Sequence, residues 1–156
     1  MLHRDLSINN LLCDKKPAGY IGILSDWDLK NAVMASNAKH RTGTVPFMSI
    51  HLLKASPPHK YCHDLESFFY ILVWAAVHID LQKKQCLSTL PDFQDWNHSN
   101  LVKVAGTKFS FLLYPTELSS FVSDDFKPLL LDQGSTGIVL QCLYQEQHRA
   151  RHIGFR

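Results

Sequence analysis

The run from Leu65 to Ile79 constrains the fold more than any other stretch of this chain. It is apolar on nearly every side, interrupted mainly by Glu66 and His78. A helix without a polar face needs apolar neighbours all round, so this run predicts a buried central helix with Phe69 and Trp74 inside. Crossing a bilayer takes about 20 apolar residues, and the run is too short and too interrupted for that. Pro57-Pro58 punctuates the chain ahead of it, and Asp64 stands where an N-cap is expected. The 156 residues suffice for one domain built round such a helix. With 46% hydrophobic and 19% charged residues, the chain is globular rather than disordered.

The remaining segments predict a mainly helical domain with one small hairpin. Leu11 to Cys13 and Tyr20 to Leu24 are apolar runs on either side of Asp14-Lys15-Lys16-Pro17-Ala18-Gly19, a β-hairpin pattern. Residues 25–49 are mixed and polar and read as a long functional loop, because structureless loops of that length are otherwise uncommon. Residues 82–100 are expected to form loops with a short helix. Leu118, Phe121, Val122 and Phe126 fall at helical spacing and predict an amphipathic helix over 116–127, ended or kinked by Pro128. There is no internal repeat.

Composition excludes several functions. A formal charge of +2 makes no case for nucleic acid or membrane. The basic tail (Arg149, Arg151, Arg156) has too few charges and aromatic neighbours for a nucleic-acid stripe and reads as a solvated terminus. Cys13, Cys62, Cys86 and Cys142 lie far apart, so reduced thiols in a cytoplasmic or nuclear protein are expected. The N-terminus has no apolar secretory segment. His59 to Asp64 holds several ligand types but lacks a second pair at zinc spacing. The Gly19/Gly22 and Gly134/Gly137 pairs fit no phosphate-binding motif and read as turn glycines.

Four short motifs carry the chemistry, and they occur in a fixed order. The first is His3-Arg4-Asp5-Leu6-Ser7-Ile8-Asn9-Asn10. A tight loop with Asp5 and Asn10 five apart can point both side chains into one cleft. The second, Ile23-Leu24-Ser25-Asp26-Trp27-Asp28, follows the hairpin, which returns the chain so that Asp26 converges on the same cleft. The others are Arg41-Thr42-Gly43-Thr44-Val45-Pro46-Phe47-Met48 and His63-Asp64-Leu65-Glu66-Ser67-Phe68-Phe69-Tyr70-Ile71-Leu72.

Together these resemble the catalytic loop, the metal-binding Asp-Phe-Gly position, the end of the activation segment and the central helix of protein kinases. Their wording is most similar to the fungal-type protein kinase family. The resemblance implies a mainly α, protein kinase-like C-terminal lobe over residues 1–143, with a basic tail over 144–156. It implies Asp5 as catalytic base, Asn10 and Asp26 as magnesium ligands and Leu12 in the adenine floor. ATP and Mg would be the cofactors, and the partner a protein or peptide substrate phosphorylated on Ser or Thr. It also implies Arg4 as an anchor for the activation segment, His3 as a packing residue and Asp64 as a brace for the catalytic loop. Ser7, where many kinases have a phosphate-contacting Lys, fits this family.

Some positions depart from the pattern. Asp28 stands in place of Gly after the metal-binding position. His51 stands in place of the Glu that pairs with a buried Arg beneath the activation segment; if that Arg were present, losing its partner would cost about 3–5 kcal/mol. Only two residues precede His3, so the small β-rich lobe with its Gly-rich loop and ATP-binding Lys is expected to be missing. The lone chain is then expected to be inactive. The alternative to a Ser/Thr kinase is a non-catalytic kinase remnant that serves as a protein-interaction module. Ser36, Thr42 and Thr44 are candidate phosphorylation sites.

Overall fold

The computed structural model describes residues 2–27, 43–55, 57–83, 85–86, 91–113 and 122–128. The expected hairpin forms early: β1 (Leu11–Lys16) pairs antiparallel with β2 (Gly19–Leu24). Register runs from Leu11 opposite Leu24 to Lys16 opposite Gly19, with Pro17-Ala18 as the loop. Gly19 takes φ +134°, a conformation that a side chain would resist. A 3-10 turn (Ile8–Asn10) leads into β1, and a second one (Val45–Phe47) precedes α1 (Ile50–Ala55).

The central helix, α2, runs from Tyr61 to His78, four residues earlier than the start of the apolar run. Its N-cap is Lys60, whose N–H donates to the His63 Nδ1 at 3.1 Å. Asp64 therefore lies inside the first turns and is not the cap. Its carboxylate is committed instead to partners distant in sequence. Tyr70, Val73 and Ala76 are completely buried, and Phe69 is inside as expected. Trp74 is only half-buried, stacked on the His78 ring at 4.5 Å, and Phe68 is exposed. The helix thus has an outer edge, and its burial is less complete than the run of apolar letters suggests.

After α2 the chain makes a minimal pair, β3 (Ile79–Asp80) with β4 (Gln85–Cys86). A short helix, α3 (Pro91–Gln94), and a 3-10 turn (Asp95–Asn97) follow, and these bury Phe93 and Trp96. The helix α4 (Leu101–Leu113) is an element the sequence reading did not anticipate. Its start is nonetheless well specified, since the Asn100 Oδ1 accepts from the N–H groups of Val102 and Lys103, both at 3.1 Å. Val104, Ala105, Lys108 and Leu112 form its buried face, and α4 packs on α1. The core thus gathers round α2, with α1, α4 and the Phe93–Trp96 segment against it.

The expected helix over 116–127 is corrected in its described part. Residues 122–126 form a bend and a turn, and helical geometry begins only at 127–128. The Ser123 N–H donates to the carbonyl of Ala76, in the last turn of α2 where carbonyls lack helical partners, and that tertiary bond overrides the local periodicity. Residues 116–121, the tail over 144–156 and the boundary after 143 lie outside the described residues. Among the described residues no helix is long and apolar enough to cross a membrane.

Candidate functional site

The site is built on one buried carboxylate. The Asp64 Oδ2 accepts from the N–H of His3 at 2.7 Å, and its Oδ1 accepts from the N–H of Arg4 at 3.1 Å. The His59 Nε2 also lies 2.9 Å from Oδ1. Burial alone would raise the Asp64 pKa, but the His59 ring and the two N–H donors outweigh it and hold the carboxyl below its ordinary range. This bracing of the His3-Arg4-Asp5 loop matches the sequence expectation. It also explains the positive φ of Arg4, 74°, which an Arg would not adopt without such a hold.

His3 is buried and tied to the end of the hairpin. Its Nε2 lies 2.7 Å from the carbonyl of Ser25, and its ring meets the Trp27 indole edge-on at 4.9 Å. A carbonyl only accepts, so Nε2 carries the proton, and the buried ring ties the loop to the end of the hairpin. Trp27 is held in turn by its indole N–H donating to the carbonyl of Leu24 at 2.7 Å.

Asp5 and Asn10 are brought together directly. The Asn10 Nδ2 donates to the Asp5 backbone carbonyl at 2.8 Å, which turns the Asn10 Oδ1 to the other side of the amide. The carbonyl of Asn10 accepts from the Ser25 N–H at 2.9 Å and from the Ser25 hydroxyl at 3.2 Å. Asp26 therefore follows a residue that is bonded to Asn10. It is exposed, sits at φ 62°, and receives no hydrogen bond from any described residue. Asn10 and Asp26 thus each offer oxygen, the ligand type that suits magnesium. Among the described residues no group of three or more His, Cys, Asp or Glu side chains gathers to hold a metal ion. Leu12 lies on β1 opposite Ile23, and both are exposed, at 52% and 43%.

The Asp5 side chain has its own partner. The Thr44 hydroxyl donates to the Asp5 Oδ1 at 2.9 Å, joining the loop to the segment before α1. Thr44 is half-buried, and its hydroxyl is engaged by this bond. Ser36, Thr42 and Asp28 lie outside the described residues. Ser7 is buried, and its carbonyl accepts the Asn10 N–H at 3.1 Å. The Arg4 Nε is buried without an acceptor among the described residues, so its expected anchoring of the activation segment is not seen there.

Beneath the segment lies a cluster that the sequence reading missed. Lys108, fully buried, donates to the carbonyl of Met48 at 2.6 Å, with the carbonyl of Val45 at 3.4 Å. Its Nζ stands over the Tyr70 ring at 4.0 Å from the centroid and near the Trp96 ring at 5.3 Å. The Glu66 Oε1 accepts from the Ile50 N–H and from the Tyr70 hydroxyl, both at 2.8 Å. Burial raises the Glu66 carboxyl to about 7 and lowers the Lys108 ammonium to about 7, each opposed in part by the charge of the other. The described cation under the segment is thus Lys108 with Glu66 nearby, while His51 lies against His63, with Nδ1 3.3 Å from Nε2. One signal was legible: Lys108 falls on the apolar face set by Val104, Ala105 and Leu112, where a lone Lys must find partners.

A His-Arg-Asp loop braced from a central helix, closed on a hairpin and bonded to a following Gly-Thr segment, is a kinase-like arrangement. Residues 1–76 match the family model described as Fungal protein kinase, just under half of the chain. Over those residues the chain is similar to the fungal-type protein kinase family. Neither a curated protein nor a solved structure matches the chain.

Proposed function

We propose that the chain is the C-terminal lobe of an ATP-dependent protein kinase of Ser/Thr type, spanning residues 1–143, with 144–156 as a basic tail. The observation that carries this reading is the contact of Thr44 with Asp5, 2.9 Å from hydroxyl to carboxylate. There the Asp5 carboxylate accepts a hydrogen bond from an aliphatic hydroxyl, the contact that a general base makes with a Ser or Thr hydroxyl before taking its proton. Asn10, through Oδ1, and Asp26 are the residues that would hold Mg²⁺, and Leu12 on the exposed face of β1 would meet the adenine. Magnesium and ATP supply the transferred phosphoryl group and the neutralisation of its charge. The protein's part is to orient the hydroxyl, take its proton at Asp5 and keep the loop rigid through Asp64.

The exposed apolar hairpin supports a second reading, a non-catalytic kinase remnant that serves as an interaction module. Leu12, Tyr20, Ile21 and Ile23 give it an apolar surface suited to a protein partner, as an interaction module would need. One experiment separates the two. Phosphate transfer from ATP to Ser/Thr and to Tyr peptides is measured with magnesium, for residues 1–156 alone and with a kinase small lobe joined upstream, with Asp5→Asn as the blank. Transfer to Ser/Thr peptides in the joined protein, abolished in Asp5→Asn, supports the kinase. No transfer in either form, with partner binding unaffected by Asp5→Asn, supports the interaction module.

A further inference from the structure

Lys108 lies outside every motif read from the sequence, yet with Glu66 and Tyr70 of the central helix it touches the segment that holds Asp5. An ammonium with no solvent exposure is costly to keep, and well-packed apolar residues commonly replace buried ionic groups without loss of stability. Lys108 is aimed at main-chain atoms of one segment. It donates to the Met48 carbonyl at 2.6 Å, with the Val45 carbonyl at 3.4 Å. The opposite side of the same turn is closed by the Thr44 carbonyl, which accepts from the N–H groups of Phe47 at 2.9 Å and Met48 at 3.0 Å. Thr44 then reaches Asp5 at 2.9 Å. Glu66 holds the next residues along, through the Ile50 N–H at 2.8 Å.

We propose that Lys108 is a positioning residue for Asp5: by clamping the carbonyls of Val45 and Met48 it fixes the turn from which the Thr44 hydroxyl donates to the Asp5 carboxylate. This deepens the kinase reading and rests on it for the role of Asp5. The clamp itself is a matter of geometry and does not depend on that reading. Turning the Val45 and Met48 carbonyls away would take the hydrogen-bond acceptors from a buried ammonium, which costs free energy. Tyr70 and Trp96 supply ring faces that stabilise the same cation without competing for its N–H donors. The residue therefore adds rigidity where the fold alone supplies only a short 3-10 turn.

The test uses the full chain and needs no phosphoryl transfer, so its failure is distinct from failure of the kinase reading. Amide hydrogen exchange and the Asp5 carboxyl ¹³C signal are followed in the wild type, Lys108→Met, Lys108→Gln and Thr44→Val. Lys108→Met should raise exchange at Phe47 and Met48 at least about tenfold, while Val73 and Ala76 in α2 keep their protection. Its Asp5 signal should move to the position found in Thr44→Val, the spectroscopic mark of the lost hydroxyl. Lys108→Gln, with a donor but no charge, should fall between. Unchanged exchange at Phe47 and Met48, an Asp5 signal unmoved in Lys108→Met, or a uniform rise across the chain would each overturn the proposal. So would failure of both Lys108 variants to fold, because a positioning role requires that the fold survive without the ammonium.

Discussion

Replacing Asp64 with Ala removes a carboxylate that ties the chain's first residues to its central helix. The carboxylate accepts from the N–H groups of His3 and Arg4, at 2.7 and 3.1 Å, and His3 is 3% exposed. The buried His3 N–H left without an acceptor costs about 1–3 kcal/mol, and the part-buried Arg4 N–H, which water can reach, costs less. Arg4 is also held at φ 74°, a conformation that costs about 1–2 kcal/mol and that its bond to the carboxylate helps to offset. A domain of this size has about 5–15 kcal/mol of stability in all, so the change is a large fraction of it. The chain can avoid the full cost by letting the loop detach, in which case Trp27 leaves the edge of the His3 ring. Urea unfolding followed by far-UV dichroism measures the global loss, and Trp fluorescence reports the local one. A lowered midpoint, or a native-like dichroism curve with red-shifted Trp emission, is expected. A loss below about 1 kcal/mol with no change in emission would refute the claim that Asp64 holds the loop.

Asp64 also sets an acid limit: its folded pKa lies below the ordinary value of 3.8, so its stabilisation is present above that value and lost as pH falls through the lowered one. Asp64→Asn should flatten the acid limb of a thermal-stability profile below about pH 4. Glu66 has the opposite sign. Burial raises its carboxyl from 4.5 to about 7, so its contribution to stability falls as pH rises between those values, and Glu66→Gln should remove that fall in a calorimetric series. Gly43 sits at φ +131°, where an added Cβ would lie 3.0 Å from the Met48 Cε and 3.4 Å from the Arg4 carbonyl. Gly43→Ala should therefore cost about 1–2 kcal/mol in urea unfolding, and an unchanged midpoint would mean that the segment is looser than described. Tyr20→Ser with Ile21→Ser, both on the exposed hairpin, should leave the unfolding midpoint within about 0.5 kcal/mol while reducing self-association seen by light scattering.

Much of this arrangement was determined by local sequence. The hairpin followed from two apolar runs and a Pro17-Ala18-Gly19 break, because turn chemistry and strand pairing are short-range. The central helix followed from a run too apolar to lie anywhere but inside. The kinase-like motifs were readable because short runs of residues in a fixed order resemble a known family, and such runs are local in sequence. Local periodicity failed at 122–126, where a single hydrogen bond from Ser123 to the end of α2 decided the backbone. It was also insufficient at Asp64, whose capping preference was overruled by two N–H groups some sixty residues away. Only the tertiary structure could bring Lys108 from α4 under Val45 and Met48, set Glu66 against Ile50, and hand the Thr44 hydroxyl to Asp5. Propensity and spacing act over a few residues and act on every copy of a pattern. The partners of a buried charge depend on which distant groups the completed fold sets against it, because water no longer satisfies that charge and only those groups can.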